Sequence, residues 1–303
     1  MRWSVLLWVM VAAGSSGCGE ERLADGVADP DNLPPTAASV SGPSPAGVVL
    51  PPRRPFDSNP LGLPGRPPEV EEGQRVFAVP QRMLAQARQG ASLVLRAATV
   101  QGREGNDLVV RVGTGIPYPV HPAYVVVPRP GRMGRGTPVF AAYRGVLRHG
   151  VVKNRSLDRV VVRYTDLGFK LGDQKLVRQR IGVLKPGRLM AGGQAVARQG
   201  GLLHHVQLVS VGVHSDGKKR WLVIGLGGAA QLVEEAALIA LPLRRFKAKL
   251  GTTVLAAWRG GMVPAELLAL DRPGLFTVKR QRTSRRLLVG PGMIMEAGTA
   301  KRR

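Results

Sequence analysis

Five cations crowd into eight residues at Lys279-Arg280-Gln281-Arg282-Thr283-Ser284-Arg285-Arg286, between the apolar arms Phe276–Val278 and Leu287–Val289. Arms and tip at that spacing predict a β-hairpin with its tip in solvent. A guanidinium fork matches a phosphate or carboxylate through two parallel N–H bonds, so Lys279, Arg280, Arg282, Arg285 and Arg286 form a candidate anion site. The competing reading is a charged edge that keeps strands from pairing with other molecules. Lys218-Lys219-Arg220, the stretch Arg244-Arg245-Phe246-Lys247-Ala248-Lys249 and the terminal Arg302-Arg303 add further basic patches.

The rest of the reactive inventory is thin. Cys18 is the single cysteine, which excludes an internal disulfide and any thiolate-rich metal site. The five histidines show no HExxH spacing, and neighbours such as His204-His205 on a strand would point to opposite faces. Gly225-Leu226-Gly227-Gly228-Ala229-Ala230 looks superficially like a dinucleotide loop. Position 247, where the fingerprint needs an acid, is a lysine, so a tight glycine turn between strands is expected. No Gly-x-Ser-x-Gly elbow occurs, and the acids of residues 76–303 form no distinctive pair. These patterns predict no enzyme, no cofactor and no metal.

The net charge is +24, and it is divided unevenly. Residues 1–75 carry six Lys and Arg against nine Asp and Glu, whereas residues 76–303 carry 38 against 11. A field of that sign attracts polyanions and makes binding salt-dependent. The excess of 34 Arg over 10 Lys is also what a GC-rich genome yields without selection for binding.

Between Gly19 and Arg75 lie 12 of the 24 prolines and one aromatic, Phe56. Such a stretch has no apolar stripe to bury and reads as a disordered, Pro-rich tether. Beyond it the chain repeats itself. Gly136-Thr137-Pro138-Val139-Phe140-Ala141-Ala142-Tyr143-Arg144-Gly145 returns 115 residues later as Gly251-Thr252-Thr253-Val254-Leu255-Ala256-Ala257-Trp258-Arg259-Gly260. Ala87-Arg88-Gln89-Gly90 matches Ala197-Arg198-Gln199-Gly200, which sets His204-His205 opposite Val94-Leu95. Each copy divides again, with middle strands expected at Leu108–Val112, Arg159–Arg163, Trp221–Ile224 and Phe276–Val278. The spans are 76–128, 132–186, 189–242 and 246–298. Short β-branched runs separated by Gly, Asp-Gly and Pro predict an all-β fold of small antiparallel barrels. The segment Leu232–Ile239 has good helix formers, but its counterpart Val120–Val125 contains Pro122, so a single turn leading into a strand is expected in both.

The pattern Gly136/Val139/Ala141/Tyr143/Gly145 and its partner Gly251/Val254/Ala256/Trp258/Gly260 resembles the Tudor and SH3-like barrel superfamily. The resemblance implies four barrels in two duplicated pairs, with Tyr143 and Trp258 at a position that in Tudor domains lines the ligand cage. The next pair of such a cage is replaced by Arg148-His149 and Met262-Val263, so a methylammonium cage is not expected. At the other end, Arg2, the apolar run Val5–Ala13 and the small residues Gly14-Ser15-Ser16-Gly17 before Cys18 make an export signal over residues 1–17. Cys18 at that exit resembles the lipobox of bacterial lipoproteins, with Ser15 where the family usually has Leu. The resemblance implies lipid on Cys18, export and, with Gly19 following, the outer membrane. The tether then covers 18–75. The expected function is a lipid-anchored envelope protein holding an anionic polymer or lipid through its basic barrel surface. Its alternative is a scaffold that binds a protein partner in the grooves between barrels, and nucleic acid is the less favoured polyanion. Cys18→Ala should move the protein from the membrane to the soluble fraction. An intact mass showing unmodified Cys18 in the native mature protein would exclude the anchor.

Overall fold

A computed structural model of the chain describes residues 56–301, except 66–67, 167–171, 243–247, 272–273 and 282. Cys18 with its signal, most of the tether, Arg282, the basic residues 244–247 and Arg302-Arg303 lie outside the described residues. The fold is mostly β, as two antiparallel sheets of ten strands with the same internal order. Each sheet is two consecutive five-strand groups.

In the first group β1 (Arg75–Ala78), β2 (Arg96–Glu104), β3 (Asp107–Val112) and β4 (Tyr118–Val120) pair in sequence. A 3-10 turn at Pro122–Tyr124 then delivers β5 (Val125–Val126) back to β1. The second group repeats this with β6 (Pro138–Tyr143), β7 (Val146–Arg155), β8 (Arg159–Tyr164), β9 (Gly172–Val177) and β10 (Gly182–Val183). In the second sheet the third group is β11 (Gln194–Gln199), β12 (Leu202–Val213), β13 (Lys219–Ile224), β14 (Ala230–Glu234) and β15 (Leu238–Ala240). The fourth is β16 (Thr253–Trp258), β17 (Gly261–Asp271), β18 (Leu275–Arg280), β19 (Arg286–Val289) and β20 (Ile294–Glu296). The ambiguous Leu232–Ile239 is strand, one 3-10 turn at Glu235–Ala237, then strand.

Two local devices recur. The second strand of every group is interrupted by a register shift, at Val100/Gly102, Val152/Asn154, Leu208/Ser210 and Leu267/Ala269. An extra residue there bends the strand and increases its twist, so one long strand can cover its group from two sides. First and second strands of groups two, three and four are joined by two-residue turns, Arg144-Gly145, Gly200-Gly201 and Arg259-Gly260. Both residues of each have positive φ, between 47° and 81°. This is the hairpin turn whose twist matches that of the strands it joins. The duplicated motif therefore has equivalent places, with Val139 and Val254, like Tyr143 and Trp258, at matching ladder positions.

The first group departs from the pattern. Between β1 and β2 it inserts residues 79–95, including the single-turn helix α1 (Gln81–Leu84), the one α-helix among the described residues. Ala87–Gly90 lies in this insertion, whereas its sequence match Ala197–Gly200 ends β11 and starts its turn. That match is thus not structural. The bulges set the offset at 108, which puts His204-His205 opposite Arg96-Ala97 instead of Val94-Leu95. The start of the first group needs a second correction. Residues from 56 on, assigned to the tether by composition, are packed. Phe56 meets Tyr118 edge to face at 6.4 Å, Leu63 is buried, and Asn59 both accepts from and donates to the Leu63 backbone at 2.9 Å. Two apolar anchors and one local polar turn outweigh the prolines around them.

The insertion also joins the sheets. Gly90 N–H donates to the Ala230 carbonyl, Ala230 N–H to Ala91 and Leu93 N–H to Gly228, at 2.8, 2.9 and 2.8 Å. Leu93 and Leu95 thereby enter an apolar cluster that also contains Phe140 and Leu147 of group two, Val209, Leu222 and Ile224 of group three, and Leu255, Ala257 and Met262 of group four. Groups two, three and four keep smaller cores of their own. Gly228 allows the close approach: it has φ +87°, and a Cβ would sit 2.5 Å from Ser92 Oγ and 2.9 Å from the Leu93 carbonyl oxygen. Gly217 has a similar φ of +75° with open space around it. Urea unfolding should therefore show Gly217→Ala costing about 1 kcal/mol, the backbone term alone. Gly228→Ala should cost about 2–4 kcal/mol, because overpacking adds to it. Equal losses would mean that the contact between the sheets carries no stability.

Candidate ligand-binding surface

Strand alternation sorts the charges of the basic hairpin. In the β18–β19 ladder Lys279 stands opposite Arg286, exposed and on one face. Arg280 and Arg285, joined by a backbone hydrogen bond of 3.4 Å, turn to the other face and lie over Trp258. The positive-φ turn after β16 adds Arg259. The guanidinium carbons of Arg285, Arg280 and Arg259 stand 5.4, 5.8 and 5.9 Å from the indole centroid. Each such contact contributes about 0.5–1 kcal/mol at an exposed site. Three cations around one ring also repel one another, and an anion between them relieves that repulsion. A recess of about 200 Å³ lies here, bounded by Trp258, the three arginines, Thr283 and Leu287.

Some cations elsewhere are matched. Arg163 grips Asp173 through two bonds of 2.8 and 2.9 Å, Lys153 adds a third at 2.7 Å, and together they hold the Asp173 carboxyl well below the usual range. Lys218 and Arg220 share Glu234 and Asp216. Among the described residues no carboxylate pairs with Arg259 or Arg280. The structure thus brings together Arg280, Arg285 and Trp258, sets Lys279 and Arg286 on the reverse face, and leaves Arg282 outside the described residues. Tyr143 belongs to the other sheet, where its ring packs at a tilt against Tyr164 at 5.0 Å with Arg144 over its ring at 5.7 Å.

Sequence reasoning missed what lies beside Trp258. A cavity of about 590 Å³ is lined by residues from all four groups. On its group-two wall His149 is buried, its Nε2 2.7 Å from the Gly192 carbonyl and its Nδ1 3.1 Å from Asp166 Oδ2. A carbonyl oxygen only accepts, so Nε2 carries a proton. Asp166 Oδ2 also accepts the His149 backbone N–H at 2.8 Å, which fixes carboxylate and ring together. On the group-three wall His205 Nε2 lies 2.9 Å from the Gly292 carbonyl. Burial pushes the His205 pKa down to about 4, against the opposing pull of the Gly292 bond and with a further decrease from nearby His149. No local motif signals this site, because its polar members His149, Asp166, His205 and Gln207 are dispersed along the chain and separated in their strands. His204, the other half of the pair, sits opposite Gly261 where groups three and four join. Among the described residues no cluster of three or more His, Cys, Asp or Glu could hold a metal ion.

No known protein family matches the chain, and no curated protein is similar enough to count as a relative. The functional reading therefore rests on the sequence and on the geometry.

The depressed His205 pKa has a measurable consequence. The folded protein refuses a proton that the unfolded chain accepts near pH 6.5, so the stabilisation is complete above 6.5 and is lost as pH falls toward 4. With the cavity letting in some water, the loss should be about 2 kcal/mol. Urea unfolding between pH 7 and 4.5 should show a shallower decline for His205→Gln than for the native chain. Parallel declines would remove His205 as the cause.

Proposed function

We propose that the protein is a non-enzymatic, lipid-anchored binding protein of the cell envelope that holds an anionic polymer or lipid on its arginine-ringed Trp258 face. The observation that carries this reading is the convergence of Arg259, Arg280 and Arg285 within 6 Å of one indole. In this reading each five-strand group is an SH3-like barrel. Support comes from the shared strand order, the bulged second strand and the return of the fifth strand to the first in all four groups. The barrels supply rigid turns, so the arginines are presented rather than merely present. Lipid on Cys18 and the tether would hold this face near a membrane, where anionic headgroups and polymers are dense.

A second reading, a scaffold that binds a protein partner between barrels, draws on one observation. Val211 and Val213 are 43% and 58% exposed on the same face of β12. Salt separates the two readings, because counterion release makes polyanion affinity fall steeply with salt and an apolar contact does not.

Binding to lipopolysaccharide and to phosphatidylglycerol vesicles should weaken when Arg259, Arg280 and Arg285 are changed to Gln. The plot of log affinity against log salt should flatten by roughly one unit for each phosphate that is no longer neutralised on duplex DNA, and in the same direction on vesicles. Changing Arg111, Arg178 and Arg180 to Gln should have a clearly smaller effect. Equal losses would reduce the interaction to diffuse net charge, and no loss in either set would leave the scaffold reading in its place.

A further inference from the structure

The cavity lined by all four groups adjoins the arginine recess and shares Trp258, Arg259, Arg285 and Leu287 with it. Its volume of about 590 Å³ falls among small-molecule sites, which run to roughly 300–1,000 Å³. Much of the wall is aliphatic: Leu93, Leu95, Ile224, Leu288 and Met293. Two of the lining residues each carry a buried polar atom with no hydrogen-bond partner, Asp166 Oδ1 and Gln207 Nε2, within reach of the cavity only by a side-chain rotation. Native chains keep few such atoms, and each calls for an explanation. The first needs a donor and the second needs an acceptor. An amide supplies both. Arg148 and Arg259 also line the cavity, two cations against the single carboxylate of Asp166, whose other oxygen is already engaged by His149. That balance calls for an anion, and a guanidinium fork suits a carboxylate.

We infer that this cavity binds a small organic carboxylate with an adjacent amide and an aliphatic side chain. Two sources present that chemistry, a free N-acylated amino acid and the carboxy-terminal end of an apolar peptide. A sugar acid fits less well, because its hydroxyl groups would face Leu, Ile and Met and lose their water without compensation. A simple phosphate would satisfy the arginines but brings no N–H for Asp166 Oδ1. The inference does not rest on the polyanion reading, since that reading concerns large, salt-sensitive ligands on the outer face.

Calorimetric titration of the intact chain with N-acetyl-leucine, acetyl-Ala-Ala-Leu, N-acetyl-leucinamide and 4-methylpentanoate tests it. The first two should bind at one site per chain. The leucinamide lacks the carboxylate and 4-methylpentanoate lacks the amide, and each should bind at least about tenfold more weakly, a difference of about 1.4 kcal/mol. Tighter binding of the tripeptide identifies a peptide end as the source, and equal binding identifies the acylated amino acid. Gln207→Leu should weaken the better ligand by about tenfold or more, whereas Lys175→Gln on exposed β9 should not. Failure of both carboxylates to bind, or equal binding of all four probes, would overturn the inference. So would a folded Gln207→Leu chain that binds as the native one does. Were that variant to unfold, the probe series on the native chain would decide alone. A chain that binds N-acetyl-leucine but not anionic vesicles would keep this site and lose the polyanion face; the reverse result would do the opposite.

Discussion

The docking of residues 90–93 onto the turn at 227–230 is the contact on which the rest of the structure depends. Four groups of about fifty residues each have too little interior to be robust alone, because small bodies bury a small share of their surface. Three backbone hydrogen bonds and the burial of Leu93 and Leu95 merge them into one interior that reaches every group. Each of those leucines contributes about 1.5–3 kcal/mol by leaving water. The same insertion supplies Leu93, Val94 and Leu95 to the wall of the cavity, so the shared interior and that space arise from one segment.

Within that frame the two sheets share a scaffold and differ in their surfaces. Groups two and four present an aromatic at the end of the first strand and an arginine in the following turn. In group two the tyrosine packs at a tilt against Tyr164, whose hydroxyl donates to the Ala142 carbonyl at 2.7 Å, and Asp173 pairs with Lys153 and Arg163 nearby. In group four the hairpin carries arginines on the side facing the indole. Duplication supplied two equivalent positions, and the facing hairpin determined which became a cationic surface.

What the sequence made legible was local. The middle strands, the basic hairpin and the Gly136–Gly145 repeat could be read because period-two alternation and turn chemistry act over a few residues. Pro122 was enough to reject a helix at Leu232–Ile239 through its repeat partner. What could not be read depends on distant partners. Ala87–Gly90 copies the letters of Ala197–Gly200 but lies in an insertion whose conformation is set by group three. Phe56 and Leu61 look like tether until Tyr118 and Tyr124 are placed beside them. His149, Asp166, His205 and Gln207 line one cavity only because three chain segments converge, and no spacing along the chain encodes that convergence. The Trp258 surface was half legible: its charges were visible, but their division between two faces required the register of β18 on β19.

The hydrogen bond from Ser92 Oγ to the Gly227 carbonyl spans 135 residues. Loop closure is cheap in equilibrium terms, about 0.6 kcal/mol for each doubling of the loop. It is expensive in time, since rates fall as contacts become more distant along the chain. Each five-strand group is built from neighbouring strands and closes early, whereas the segment that unites them must wait for group three to exist. On a ribosome the first 90 residues emerge long before their partner is made. The unpaired edge of residues 90–93 is therefore exposed throughout synthesis of the middle of the chain, and so is its leucine pair. Nascent chains of this protein carry a sticky segment that only their own second half can cover.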